Sequence, residues 1–181
     1  MPPSPHRVVP RQSIAILVSV LAAIVVALFF GFAALTAVPP ALANLASEDA
    51  DGRTPVTIES DDLRAQIVAP AGWVVVHESA ASVIVRTPDG AMSARVDLVD
   101  EDPSAVVSAE PGLATSLRTE TLTSGLTAVH ADLDNGGVVA GVALGGDGSG
   151  PSARVVATVV EEADAAIYRP ALAQLLDGIA P

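Results

Sequence analysis

The sequence predicts an α+β domain, a mostly antiparallel sheet packed by helices, joined to one N-terminal transmembrane helix. Three observations carry that prediction. Residues 92–98 alternate Met92, Ala94, Val96 and Leu98 with Ser93, Arg95 and Asp97, the period of two that makes a half-buried strand. Near the C-terminus, Tyr168, Leu172, Leu175, Leu176 and Ile179 recur at helical spacing and form one apolar stripe. Residues 14–38 run for 25 positions without a charge, with Ser19 and Thr36 as their only polar side chains.

The apolar run sets the architecture. At about 1.5 Å of rise per residue it makes a helix of roughly 38 Å, enough to cross a hydrocarbon core of about 30 Å with some tilt. Arg7 and Arg11 precede it with no acid, whereas the other seven arginines and all 21 acidic residues follow it. By the positive-inside rule residues 1–12 are a cytoplasmic tail, residues 13–38 span the lipid, and the rest lies outside the plasma membrane. Pro39 and Pro40 end the helix, and Ala41-Leu42-Ala43 has the small-x-small form that a signal peptidase accepts after Ala43. A cleaved signal has an apolar core of only about 7–15 residues, so the length favours a retained anchor. Along the span Ser19, Ala23, Ala27 and Gly31 recur every four residues, a small-residue face that would let a second helix approach and so form a homodimer.

Seven arginines against 21 acids give the part beyond the run a formal charge of −14. That balance repels nucleic acid and anionic lipid surfaces and leaves proteins as the expected partners, here another envelope protein. The chain has no cysteine, which excludes disulfides and the acylated cysteine of a lipoprotein. Every basic side chain is arginine and lysine is absent; with abundant Ala and Val this resembles the coding bias of a GC-rich bacterium such as an actinobacterium.

Residues 39–54 read as a flexible tether of prolines, small residues and acids, with too little apolar surface to fold. Residues 55–181 suit one domain with one core. Runs 73–78 and 82–87 read as neighbouring antiparallel strands. Runs 126–133 and 138–144 flank Asp134-Asn135-Gly136-Gly137, and Asn-Gly is the dipeptide that a tight hairpin turn prefers. The glycine-rich stretch 145–150 then turns the chain into a Val-rich strand over 152–161. Asp102-Pro103 predicts a capped helix, split by Pro111 and Gly112 into two short pieces with Val106, Val107, Leu113 and Leu117 inward. In the C-terminal helix Pro170 fits the first turn, because deeper in it would cost about 3 kcal/mol.

Ala69-Pro70-Ala71-Gly72-Trp73 opening a strand, a short hairpin, the turn Thr87-Pro88-Asp89-Gly90, a helical insertion, further strands and a closing helix with Tyr168 and a Leu-Leu pair follow in an order that resembles the PsbP/Mog1-like domain of actinobacterial secreted proteins and lipoproteins. The resemblance implies an α/β/α sandwich-like fold over most of residues 55–181, and a binding or assembly scaffold with no catalytic residue to carry over.

Read residue by residue, the chemistry is sparse. His77 shares a strand face with Trp73 and Val75, and His130 with Ala128 and Asp132, but same-face neighbours lie about 7 Å apart, too far for a direct catalytic hydrogen bond. No serine sits in a G-x-S-x-G elbow. An envelope hydrolase using His130 or His77, or a purely structural subunit of a membrane complex, are the alternatives to a binding module. Asp61-Asp62, Asp100-Glu101-Asp102 and Asp132-x-Asp134-Asn135-Gly136 offer oxygens to a hard cation. The last has Gly137 at the sixth position of an EF-hand loop but Ala143 at the twelfth, so the closing glutamate is missing, and turns and caps explain these acids. Gly148-Ser149-Gly150-Pro151-Ser152-Ala153 leads into a strand, which gives a phosphate no helix N-terminus. Trp73 and Tyr168, the only large rings beyond the span, read as core. No catalytic, cofactor or metal residue is expected, and the function that follows is a non-enzymatic binding or assembly module at the cell envelope.

Overall fold

In the computed structural model the described residues are 47–161 and 163–181. Residues 13–38, with the Ser19, Ala23, Ala27 and Gly31 face, lie outside them. The chain divides after Asn44, and Leu45–Pro181 is one compact unit. Eleven strands and two helices follow among the described residues: β1 Ser47–Asp49, β2 Val56–Glu59, β3 Arg64–Ile67, β4 Val74–Ser79, β5 Ser82–Arg86, β6 Met92–Val99, α1 Pro103–Ala109, β7 Arg118–Thr121, β8 Thr127–Asp132, β9 Val138–Ala143, β10 Ser152–Val159, α2 Ala165–Asp177 and β11 Ile179–Ala180. The fold is α+β, with every strand pair antiparallel.

Eight strands make one sheet in the order β1-β4-β5-β6-β10-β9-β8-β7, and β11-β3-β2 make a second. The large sheet is two meanders joined in the middle by β6 and β10, which pair over eight residues from Ser152↔Val99 to Val159↔Met92. Alternation in β6 does what its sequence dictates: Met92, Ala94 and Val96 are buried, while Arg95 points to the other face. The hairpin of β8 and β9 turns at Asn135-Gly136, where Gly136 takes a left-handed φ of 79° that only glycine adopts freely. Asn135 Oδ1 accepts the Gly137 N–H at 2.9 Å.

Two cores lie on opposite faces. The larger joins Val75, Val85, Val96, Val142 and Val155 of the big sheet to Leu172, Leu175 and Leu176 of α2 and to Ile58 and Ile67 of the small sheet. The smaller packs Val107 of α1 against Val129, Ala131 and Val139. Helix α1 therefore covers only the β8–β9–β10 half of its face. Gly141 of β9 lies directly beneath it: a Cβ there would come within 2.8 Å of the Pro103 Cα and carbonyl oxygen.

Four sequence expectations need correction. The second helical piece does not form. Gly112 takes φ 77°, Ala114 N–H donates to the Asp132 carbonyl at 2.8 Å, and Asp134 N–H donates to that of Gly112 at 2.8 Å, so the chain after Pro111 runs along β8. Leu113 bridges to Leu133, and Leu117 is 38% exposed. Pro170 is not in the first turn, because Asp164 caps α2 through the Ala166 N–H and starts the helix at Ala165. Pro170 and Ala166 are both exposed, so the carbonyl that loses its partner faces water. Ile179 ends the apolar stripe outside the helix, fully buried in β11 opposite Ile67. Part of the presumed tether is folded: β1 pairs with β4, and the ladder continues as Ala50 N–H to the Trp73 carbonyl at 2.7 Å and Gly72 N–H to that of Ala50 at 2.8 Å.

Candidate functional site

The first candidate grows from the period-two pattern of β8. Val129 and Ala131 face α1, so His130 and Asp132 face the other way, toward α2. The ladder sets His130 between Arg118 and Ala140. Arg169 of α2 donates to Asp132 Oδ1 at 2.7 Å, and Arg118 stands 3.8 Å from Asp132 Oδ2. His130 Nε2 is 3.6 Å from Glu120. Thr115 Oγ1 accepts the Asp132 backbone N–H at 3.0 Å. His130 and Asp132 are thus brought into one polar cluster, as their shared face implied, but what surrounds them is two guanidinium groups and a carboxylate. Nucleophilic catalysis needs a hydroxyl or thiol within hydrogen-bond reach of the imidazole; this geometry instead fastens α2 to the end of β8.

His77 lies on a different edge, beside a bulge in the β4–β5 pairing. Its imidazole is 46% exposed and 3.7 Å from Glu48 of β1, so the two histidines belong to separate places. The acid clusters are dispersed as well. Asp61 and Asp62 are exposed in the β2–β3 turn, closed by Ser60 N–H to the Leu63 carbonyl at 2.8 Å. Asp102 caps α1, accepting from Ser104 N–H at 2.9 Å and Ser104 Oγ at 2.6 Å; those bonds hold its carboxyl below the usual range. Asp147 caps the glycine loop through the Ser149 N–H and is lowered by that bond. Among the described residues no three or more His, Asp or Glu side chains gather as metal ligands would.

A clasp that the sequence reading missed joins the turn after β5 to α2. Asp89 accepts from Thr87 Oγ1 at 2.5 Å, from Ala91 N–H at 3.0 Å and from the Tyr168 hydroxyl at 2.6 Å. The Thr87 hydroxyl, then the Tyr168 hydroxyl and the Ala91 amide, lower its carboxyl to about 2, and the same carboxylate raises the Tyr168 phenol. Tyr168 is partly buried against the larger core, and Trp73 is 4% exposed, so both rings pack as expected.

A third accessible feature is the half of the large sheet that α1 leaves open. The registers set three cross-strand rows there: Val74–Arg86–Ser93–Thr158, Val76–Ile84–Arg95–Val156 and Ser82–Asp97–Arg154. Arg95 bridges Glu78 at 2.9 Å and Asp97 at 2.9 Å, and these carboxylates raise its guanidinium further, Asp97 most. Arg154 reaches Asp97 at 3.3 Å and also binds Glu110 at the end of α1. A Ser93–Thr158 hydroxyl contact of 3.1 Å completes the lower row. Charged and apolar side chains are interleaved on this face, a composition that suits contact with protein. No signal in the sequence marks it, because it exists only where helix cover stops. No family model, curated protein or solved structure matches the chain.

Proposed function

We propose that this chain is a single-pass membrane protein of a bacterial envelope, whose α+β unit acts outside the plasma membrane as a non-enzymatic binding or assembly module. The observation that carries the reading is the uncharged run 14–38, preceded only by Arg7 and Arg11 and followed by all 21 acids, since such a charge step retains the N-terminus in the cytoplasm. No helix among the described residues is long and apolar enough to cross a membrane, so the anchoring role falls to that run and its lipid contacts. The PsbP/Mog1-like assignment belongs to this proposal and rests on the order of sequence features from Ala69-Pro70-Ala71-Gly72-Trp73 to the Leu175-Leu176 pair.

The partner is another envelope protein, met through protein surface rather than through a chemical centre. The surroundings of His130, two arginines and a glutamate, favour fastening over hydrolysis. Protease added to intact spheroplasts is expected to digest the acidic unit and spare an N-terminal tag on residues 1–12. Digestion of the tag with protection of the acidic unit would overturn the orientation. Cross-linking in cells through the acidic unit, followed by identification of the captured proteins, tests the partner class.

A further inference from the structure

We infer that Asn135 is a self-modifying site: its side chain closes onto the Gly136 backbone nitrogen and loses ammonia, and the folded β8–β9 turn holds this reaction back until the hairpin opens. The chain has two asparagines, Asn44 and Asn135, and only the second is followed by glycine. The reaction needs the next residue's backbone nitrogen to reach the carboxamide carbon, and glycine, with no Cβ, obstructs that approach least. Water is the only co-reactant. The Gly136 nitrogen gives its proton to solvent base and bonds to Asn135 Cγ, the Cγ–Nδ2 bond breaks, and Nδ2 leaves as ammonia with a proton taken from water. The five-membered imide so formed then takes up one water. If its bond from the Gly136 nitrogen to Cγ breaks, aspartate is left in an ordinary backbone. If its bond to the Asn135 main-chain carbonyl carbon breaks, the backbone continues through Cγ as isoaspartate.

Asn135 is exposed, so water and base reach it, and what restrains it is hydrogen bonding. The Gly136 N–H donates to the Leu133 carbonyl at 3.1 Å, and a proton held in that way is withheld from base as it is withheld from exchange with solvent. The carboxamide is tied down separately, because its Oδ1 accepts the Gly137 N–H at 2.9 Å. Around these two bonds Leu133 N–H donates to the Gly137 carbonyl at 2.9 Å, and Asp134 N–H to that of Gly112 at 2.8 Å. Both inner bonds must be open at once for the ring to close. Two hydrogen bonds of ordinary net strength keep that open form to about one part in thirty, so the folded chain should react about thirtyfold more slowly than the unfolded one. The isoaspartate product cannot close the turn as before. It inserts one extra carbon into the backbone between Leu133 and Gly137, and it adds a carboxylate beside Asp134 and Glu161, which line the same surface hollow, so like charges oppose the closed turn. Each opening is thus recorded irreversibly, and a marked chain reopens more readily.

Full-length protein in mild detergent is held at neutral pH in heavy-oxygen water, with and without enough urea to unfold the acidic unit. Samples are then digested with trypsin in ordinary water at mildly acidic pH, where no further label enters. Cleavage at arginine releases residues 119–154 with Asn135 and residues 12–53 with Asn44, and mass spectrometry reads the heavy oxygen in each and separates isoaspartate from aspartate by fragmentation. Residues 119–154 should take up label about thirtyfold faster in urea than without it, and residues 12–53 more slowly than residues 119–154 in the same urea, because the Leu45 side chain crowds the attacking nitrogen. Gly136→Ala, compared in urea where no fold is at stake, should slow the uptake several-fold. Equal rates with and without urea overturn the restraint by the turn. Residues 119–154 that stay unlabelled in urea, or take up label as fast with alanine at position 136, overturn the site. The isoaspartate fraction, returned to buffer, should unfold at a lower urea midpoint than unmodified chains taken through the same cycle; an equal midpoint overturns the easier reopening.

Discussion

Replacing Gly141 by alanine tests whether α1 is seated on the sheet as described. The added Cβ would lie 2.8 Å from the Pro103 Cα, 2.8 Å from its carbonyl oxygen and 3.1 Å from its Cβ, where ordinary contact begins at 3.4 Å. All three atoms belong to the first residue of α1, so no flexible side-chain tip can move aside, and the helix must lift by roughly 0.6 Å, the shortfall between 2.8 and 3.4 Å. Overpacking of this kind costs about 1–3 kcal/mol. A ceiling comes from complete undocking, which would expose Val106 and Val107, buried to 5% and 0%, at about 1.5–3 kcal/mol each. Against this, alanine restricts the unfolded chain and returns about 0.4–1 kcal/mol. The expected net loss is about 1–2 kcal/mol. Gly146 provides the control, because its Cβ would meet nothing within 4 Å and its φ is not left-handed; Gly146→Ala should be neutral or slightly stabilising. Urea unfolding of the Leu45–Pro181 unit, followed by the fluorescence of Trp73, the chain's one tryptophan, reads both variants by their midpoints at constant slope. If Gly141→Ala unfolds at the wild-type midpoint, or Gly146→Ala loses as much, the close approach of α1 to β9 is wrong.

Three further outcomes are expected. Trp73→Ala should lose about 3–5 kcal/mol, since the ring is 4% exposed and belongs to the larger core; an unchanged thermal midpoint would instead make the ring a recognition surface. Asp89 has a folded pKa lowered from 3.8 to about 2, so its stabilising contribution is complete above the unfolded value and is lost as pH falls through the folded one. Acid titration should therefore show a stability loss between about pH 4 and 2 that Asp89→Asn shrinks, and a loss unchanged by that substitution would refute the assignment. A fragment starting at Leu45 should unfold at higher urea than one starting at Pro55, because the shorter one lacks β1 and the two Ala50 bonds; identical midpoints would mean that β1 adds nothing to the fold.

Elements with a strong local signal were legible in the sequence. The alternation in β6 and the Asn135-Gly136 turn between β8 and β9 both state their structure within a few residues. Elements defined by partners were not. All four residues of β7 are exposed, so no periodicity marks it, and it is a strand because β8 offers its edge. In β2 only Val56 and Ile58 are buried, too short an alternation to stand out from a loop. Ile179 was placed in a helix by spacing, but Gly178, whose N–H bonds back into the last turn of α2, ends the helix and lets Ile179 pair with Ile67. In the His130 cluster the shared face of His130 and Asp132 follows from a period of two. Arg169 lies 37 residues further on, and only the packing of α2 brings it to Asp132.

The open sheet face has a traceable origin in this same contrast between local and non-local signals. Had residues 113–117 continued as helix, a second helical piece would have been available to cover the sheet beside α1. Pro111 cannot continue the hydrogen-bond ladder of a helix, Gly112 turns left-handed, and Leu113 takes Leu133 as its partner, so that stretch is committed to the edge of β8. Helix α1 is left with seven residues, roughly 10 Å at 1.5 Å per residue, and no other helix among the described residues packs on that side. The side chains facing outward from β5 and β6 fit this outcome. A face meant for helix cover would be mainly apolar, as the α2 side is over Val75, Val85, Val96, Val142 and Val155, whereas Arg86, Arg95 and Asp97 keep this one compatible with water while Val76 and Ile84 keep it capable of contact. Filling it with apolar residues should therefore produce aggregation, whereas reversing one charge should change association alone. That difference separates a surface kept for a partner from an accident of short helix length.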